Sequence, residues 1–114
     1  MNVNQKIEDA LADLVNNNIW PLSCPKETPP EEWITYNPEL ETPGLFGDDT
    51  DLEWVHYMQV HWFKKGQQNY LQIRKKIRQR LREAGFTVTE SVSMYEKDTK
   101  TTHLIISCNI EEDD

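Results

Sequence analysis

The sequence predicts an α+β fold, with one mixed, mainly antiparallel sheet of about four strands and two helices packed on one face. Three patterns predict it. Apolar residues recur at steps of three and four over residues 70–84, which is typical of an amphipathic helix. A long alternating strand comes directly before this helix, at residues 53–63, and a pair of alternating strands follows it.

The first half of the chain is predicted to contain one helix and one short strand. Residues 4–16 carry an apolar stripe that includes Ile7, Leu11 and Val15, and Asn4 is a suitable N-cap. Residues 19–22 form an apolar patch that is compatible with a short extended piece. Prolines then interrupt regular structure, and residues 33–36 are predicted to form the short strand.

Residues 39–51 are predicted to form a long, acidic, mobile loop. The segment contains Pro43, two glycines and five acidic residues, among them Asp48 and Asp49. Leu45 and Phe46, between the glycines, are expected to form an exposed apolar tip. Loops of this length are either solvated connectors or binding segments, so the sequence leaves open whether this one becomes ordered against a neighbouring subunit.

The helix over residues 70–84 is expected to lie across the sheet. Ile73, Ile77 and Leu81 lie on its apolar stripe, and arginines and lysines occupy its other faces. Gly85 follows at the position where helices commonly end in a left-handed conformation, and Phe86 is placed to fold back onto the last turn.

The last part of the chain is predicted to be a β-hairpin with a polar turn at residues 95–100. In its first strand, one face is expected to hold the four apolar residues, with Glu90 as the single exception; these are Phe86, Val88, Val92 and Met94. In its second strand, the buried face is expected to hold Thr102, Leu104, Ile106, Cys108 and Ile110. The opposite face of the sheet, with Tyr57, Phe63 and histidine, is suited to subunit contact.

Composition limits the function classes. The 114 residues support a single domain, 1–114, and 37% of them are hydrophobic. No apolar run is long enough for a membrane span, and no secretory signal is expected. Cys24 and Cys108 are therefore expected to be free thiols.

The net charge of −8 is distributed in blocks. Eight basic residues and no acidic residue lie between Lys64 and Arg82, whereas nine acidic residues and no basic residue lie between Glu27 and Glu53. Residues 111–114 form a further acidic segment, which is expected to be a flexible tail. Separated blocks of opposite charge allow pairing within one subunit or head-to-tail between subunits.

The residues that carry chemistry do not form a recognisable catalytic or cofactor pattern. His56 and His61 point to opposite faces of one strand, and His61 and His103 share a face without a third ligand at metal-binding spacing. No phosphate-binding glycine loop is present. We therefore expect a protein that is not an enzyme and that has no catalytic residues, cofactor or metal.

The basic helix, residues 67–84, also permits a second interpretation as a small nucleic-acid-binding module. Its cations are suited to phosphates, and Tyr57, Trp62 and Phe63 are suited to stacking on bases. The acidic charge of the whole chain argues against it.

The order of these elements resembles a family of virion proteins. The features that carry the resemblance are an initial helix, an Ile-Trp-Pro element, the segment Trp-Ile-Thr-Tyr, a variable acidic loop, the long strand, a basic helix ending in Ala-Gly-Phe and a Tyr-Glu-Lys-Asp-Thr turn. The chain looks like a tail terminator protein, also called a tail completion or tail-to-head joining protein, of long-tailed phages and prophages. Its layout is similar to that of the lambda minor tail protein U, and the resemblance covers about residues 5–111.

This resemblance implies a structural protein that caps the tail tube, ends its polymerisation and provides the surface for head attachment. The implied partners are further copies in a ring, commonly a hexamer, the major tail tube protein and the head connector or head-completion protein. Neither sequence-specific nucleic acid nor a membrane is implied as a partner. The implied location is the virion tail, with the host cytoplasm during assembly. A head-closure or neck protein of the same virion, or a phage-encoded regulator, is the alternative.

The residues expected at subunit or partner interfaces combine the loop tip, its acids and the basic surface. They are Leu45, Phe46, Asp48, Asp49, Lys64, Lys65, Arg74, Arg78 and Arg82.

Overall fold

The computed structural model describes residues 1–43 and 54–112. Its elements, in chain order, are α1 (Val3–Leu11), a 3₁₀ turn (Ala12–Val15), β1 (Ile19–Pro21), β2 (Glu32–Pro43), β3 (Trp54–Lys65), α2 (Leu71–Glu83), β4 (Thr87–Glu96) and β5 (Thr101–Glu112). None of the helices in these two ranges has the length and apolar character needed to span a membrane.

The strands form a mixed sheet in the order β1-β2-β3-β5-β4. The β1–β2 pair is parallel and the other three pairs are antiparallel. The predicted α+β class is therefore confirmed, with five strands within the described residues rather than about four. The additional strand is β1, at the apolar patch that follows the first helix.

The core lies between the two helices and one face of the sheet. Ile7 of α1 and Ile77 of α2 are fully buried and belong to the same apolar cluster as Val60 of β3 and Ile106 of β5. Both helices therefore cover the same face, as predicted. The opposite face has no helix over it within the described residues, and we call it the uncovered face.

The first helix begins at Val3, one residue earlier than predicted, and its N-cap lies two residues earlier than predicted. Asn2, not Asn4, is the N-cap, because its side-chain oxygen accepts a hydrogen bond from the backbone N–H of Gln5 at 3.0 Å. The last predicted turn is a 3₁₀ turn, which Asn16 ends in a left-handed conformation.

The end of α2 has the predicted geometry. Gly85 has φ of 99°, and its N–H donates to the carbonyl of Arg82. The N–H of Phe86 donates to the carbonyl of Leu81 at 2.9 Å, and the Phe86 ring is buried in the core. These two hydrogen bonds define a Schellman motif, which satisfies carbonyls that the helix end would otherwise leave unpaired.

Strand β2 is longer than predicted. The sequence assigned only residues 33–36 to this strand and placed residue 39 at the start of a loop. In the structure β2 continues to Pro43 and pairs with β3 on both sides of an irregularity between Pro38 and Leu40. Pairing along a long neighbouring strand outweighs the weak strand preference of this proline- and glutamate-containing segment. The remainder of the predicted loop, residues 44–51, lies outside the described residues.

Strand β4 changes face along its length. A bulge between Val88 and Glu90 shifts its register against β5. Val88 packs against the core, whereas Val92 pairs with Ile105 and Met94 with His103 on the uncovered face. The prediction that all four apolar residues share one face was therefore wrong, because one extra residue reverses the alternation of every residue after it.

The two edges of the sheet differ in their proline content. The β1–β2 edge carries Pro21 on β1, and Pro38 and Pro43 on the part of β2 that continues past β1. The other edge is the ten-residue strand β4, whose sequence contains neither proline nor lysine. Proline removes a backbone donor and is a common way to block pairing at an edge.

Candidate functional site

Three of the predicted interface residues form one stripe on the solvent side of α2. Arg74, Arg78 and Arg82 follow one another at steps of four residues, so they lie on one side of the helix. They line one open groove of about 520 Å³, and Leu71 and Glu83 are also among its lining residues. We call Arg74, Arg78 and Arg82 the arginine stripe.

The arginine stripe keeps its charge available for a partner. Within residues 1–43 and 54–112, none of its three guanidinium groups forms an ion pair. Arg74 lies over the ring of Tyr70 at 5.6 Å, a cation–π contact that fixes its direction without neutralising it. Because α2 is packed on the core through Ile77 and Leu81, the stripe is presented on a rigid element.

Arg80 behaves differently from the stripe. Its guanidinium donates to both carboxylate oxygens of Asp13, at 2.7 and 3.0 Å, and to the carbonyl of Ala10 at 3.2 Å. The hydrogen bond from Arg80 lowers the pKa of the Asp13 carboxyl, as does its charge. Arg80 therefore joins α1 to α2. A single sequence could not separate it from its basic neighbours, because Asp13 is distant in the chain.

The two predicted lysines lie apart from the stripe. Both belong to the end of β3, where consecutive side chains point to opposite faces. Lys64 lines a small groove with Gln72 and Lys76 at the beginning of α2. Lys65 pairs with Thr101 on the uncovered side of the sheet. The five predicted basic residues therefore do not form one surface.

Four predicted interface residues, Leu45, Phe46, Asp48 and Asp49, lie outside the described residues. The predicted flexible acidic tail is in part a strand, because Glu111 and Glu112 belong to β5. The carboxylate of Glu112 is 2.6 Å from His56 Nε2 and 3.3 Å from the amino group of Met1. Its hydrogen bond to His56 and then that to the amino group lower its pKa.

The uncovered face carries a row of four polar side chains, one from each of four adjacent strands. Asn37 on β2 is 3.0 Å from His61 on β3, measured from Oδ1 to Nε2. His61 Nδ1 is 2.8 Å from His103 Nε2 on β5. His103 Nδ1 is 2.7 Å from Oε1 of Glu96 on β4. We call these four residues the polar row. The sequence pattern predicts that both histidines share one face, but it does not indicate Asn37 or Glu96 as their neighbours.

Aromatic rings lie beside the polar row. Trp33 stacks on Phe63 with ring centroids 4.9 Å apart, and Phe63 stacks on His103 at 4.2 Å. Trp33 and His103 are both buried, although no helix from the described part of the chain covers this face. The rings therefore shield the histidines from water on one side.

The two cysteines are free, as predicted. Cys108 is buried in the core, and this burial raises the pKa of its thiol to about 12. Neither thiol joins a ligand cluster: among residues 1–43 and 54–112, no three His, Cys, Asp or Glu side chains are placed to hold a metal ion.

Comparison with known proteins gives a match among solved structures. No protein-family model matches the chain, and no curated protein matches it. Among solved structures, the fold is similar to that of a chain in the virion of a native gene transfer agent particle, with a TM-score of 0.66 and 10% sequence identity. The similarity covers 96% of this chain and 92% of that chain. At this identity the comparison shows a shared fold over nearly the whole of both chains.

Proposed function

We propose that this protein is a structural virion protein that closes the phage tail tube. In this role it ends tube polymerisation and provides the surface to which the head attaches. The observation that carries the proposal is the fold, which is shared from end to end with a chain of a gene transfer agent virion. The order of sequence elements supports the same class of protein independently, since it resembles the tail terminator family.

The proposed assembly is a ring of copies, expected to be a hexamer, in contact with the tube protein on one side and a head-completion protein on the other. A ring needs a heterologous contact, in which two different surfaces of the same chain meet. The arginine stripe is the cationic surface of this contact. The acidic partner surface is the β2 end, with Glu39 and Glu41, together with the adjoining sequence that contains Asp48 and Asp49.

The apolar residues Leu45 and Phe46 are proposed to contact the neighbouring copy or the tube. Lys64 and Lys65 are proposed to contact other acidic partners, since they lie away from the stripe. The location proposed for the assembled protein is the virion tail.

Loss of the protein from the producing phage or prophage tests the proposal. Electron microscopy of the particles is expected to show overlong tails that never join heads, because nothing stops tube growth. Supply of the gene in trans is the control and restores normal length. Tails of normal length beside leaking or empty heads would contradict the terminator role and indicate a head-closure protein.

A role in nucleic-acid binding is the second candidate, and it is favoured by the arginine stripe, which forms no ion pair with residues 1–43 or 54–112. It predicts an affinity for DNA that falls steeply as salt is raised, because bound cations of DNA are released when arginines replace them. The net charge of −8 opposes it. Absence of DNA binding by the purified protein at low salt would rule it out.

A further inference from the structure

With the Asn37 amide oriented as in the structure, only one arrangement of protons satisfies the polar row. The side-chain oxygen of Asn37 is only an acceptor, so His61 Nε2 carries a hydrogen. The ionised carboxylate of Glu96 is likewise only an acceptor, so His103 Nδ1 carries a hydrogen. If both rings were neutral, the two facing nitrogens would then both be bare acceptors, 2.8 Å apart. That distance requires a hydrogen between them.

The orientation of the Asn37 amide supports this assignment. Its Nδ2 lies 3.4 Å from the carbonyl of Pro38 as a donor, which directs Oδ1 at His61. With the opposite amide orientation, both rings would be neutral. Asn37 would then donate to His61, His61 to His103, and His103 to Glu96. The two orientations therefore differ by one proton in the row.

We propose that His61 and His103 share one proton between their facing nitrogens, so that the polar row contains one imidazolium. The row is then a proton-dependent hydrogen-bond network that links side chains of four strands. A proton fits the site better than a metal ion, since the described residues offer no third ligand there. The stacked Phe63 ring favours a cation on His103, and the Glu96 carboxylate compensates its charge.

His61 is the neutral member of the pair. Burial lowers its pKa first, and the charge on His103 lowers it further, against a smaller opposite effect of Glu96. Among the described residues, the other charged groups on this face include Glu90 opposite Ser107, Lys65 opposite Thr101, Glu111 opposite Val55, and Lys26 over the ring of Trp20. None of these four groups forms an ion pair with His61 or His103.

Acid is expected to break the hydrogen bond between His61 and His103. Below pH 6.5 the unfolded chain binds a proton at His61 that the folded chain does not bind, so stability falls as pH falls towards the lowered pKa. A second proton on the pair would place two imidazolium rings in contact. The side-chain link between β3 and β5 on the uncovered face would then be lost, while the backbone pairing of the two strands would remain.

Nitrogen-15 NMR of the imidazole rings in the intact protein at pH 7.5 tests the proposal without a variant. His61 is expected to show one protonated nitrogen, Nε2, and His103 to show two. Two singly protonated rings would overturn the proposal and establish the opposite orientation of Asn37.

Three variants make the test sharper. Glu96→Gln is expected to remove the second proton from His103, because the ionised acceptor is lost. Glu90→Gln removes the same charge from the same face without touching the row, so it is expected to leave both rings unchanged. Asn37→Asp, whose oxygens only accept, is expected to preserve the pattern of one protonated nitrogen on His61 and two on His103. Loss of this pattern in Asn37→Asp would contradict a shared proton.

Discussion

Gly85 is the residue whose backbone most directly sets the end of α2. Its φ of 99° is a conformation that residues with a side chain rarely adopt. A Cβ at this position would be 3.6 Å from the Ile110 side chain, an ordinary contact, so strain rather than collision decides the cost of a substitution.

Gly85→Ala is expected to lower the free energy of unfolding by about 1 kcal/mol. The left-handed conformation is about 1–2 kcal/mol less favourable for alanine than for glycine, and the lower conformational entropy of the unfolded alanine variant offsets part of this cost. Urea denaturation measures the change. Lys75→Ala, at an exposed position of α2, is the matched control and should stay within about 0.5 kcal/mol of the wild type. Equal effects of the two variants would contradict the strain argument.

The two thiols are expected to differ in reactivity. Cys108 is buried with its pKa raised to about 12, so almost no thiolate is present at pH 8, whereas Cys24 is partly exposed. A thiol reagent should therefore modify one cysteine per folded chain and two after unfolding in urea. Cys24→Ser should remove the reaction of the folded protein; rapid labelling of that variant would show that the core opens around Cys108.

At the scale of elements, β4 offers the clearest test of the observed register. Val88 packs on the core before the bulge, and Val92 is 51% exposed after it. Val88→Thr is expected to lower the free energy of unfolding by about 1–2 kcal/mol, since it places a hydroxyl among apolar groups. Val92→Thr, the matched control with the same change in atoms, should cost about 0.5 kcal/mol or less. Chemical denaturation measures the free energy of unfolding of both variants. A larger loss for Val92→Thr would show that Val92, and not Val88, faces the core.

The same elements show how much of the fold could be predicted. Helix α2 was recovered because its stripe through Ile77 and Leu81, its glycine end and Phe86 all indicate one structure. The extension of β2 and the change of face after Val88 were missed, because each depends on pairing with a strand that is distant in sequence.

In the candidate site, the stripe on α2 follows from helical spacing alone. The polar row could not be predicted, since its four members come together only when β2, β3, β5 and β4 become neighbours.

At the scale of the whole molecule, charge is distributed unevenly for a protein with a net charge of −8. The arginine stripe lies on a rigid helix, and most of the acids lie elsewhere. Attraction between copies through these regions would act over about 10 Å at 0.1 M salt and would be screened as salt is raised.

Reversal of the stripe, with Arg74→Glu and Arg78→Glu together, is expected to abolish the proposed ring formation and tail joining. The two new glutamates would repel the acidic surface that we propose for the neighbouring copy. Circular dichroism should be unchanged, since neither side chain is in the core. Lys97→Glu with Lys100→Glu changes the net charge equally at the exposed β4–β5 turn and serves as the control. Electron microscopy and sedimentation give the readout; rings formed by the stripe variant would exclude charge pairing at α2.

The unequal proline content of the two sheet edges limits how far strand addition between molecules can proceed. A second copy can approach β4 with its own β4, but the two outward edges of that pair would be the proline-bearing edges of β1 and β2. Neither edge offers the uninterrupted row of donors that a further strand needs. Fibre growth by this route is therefore expected to stop at two molecules.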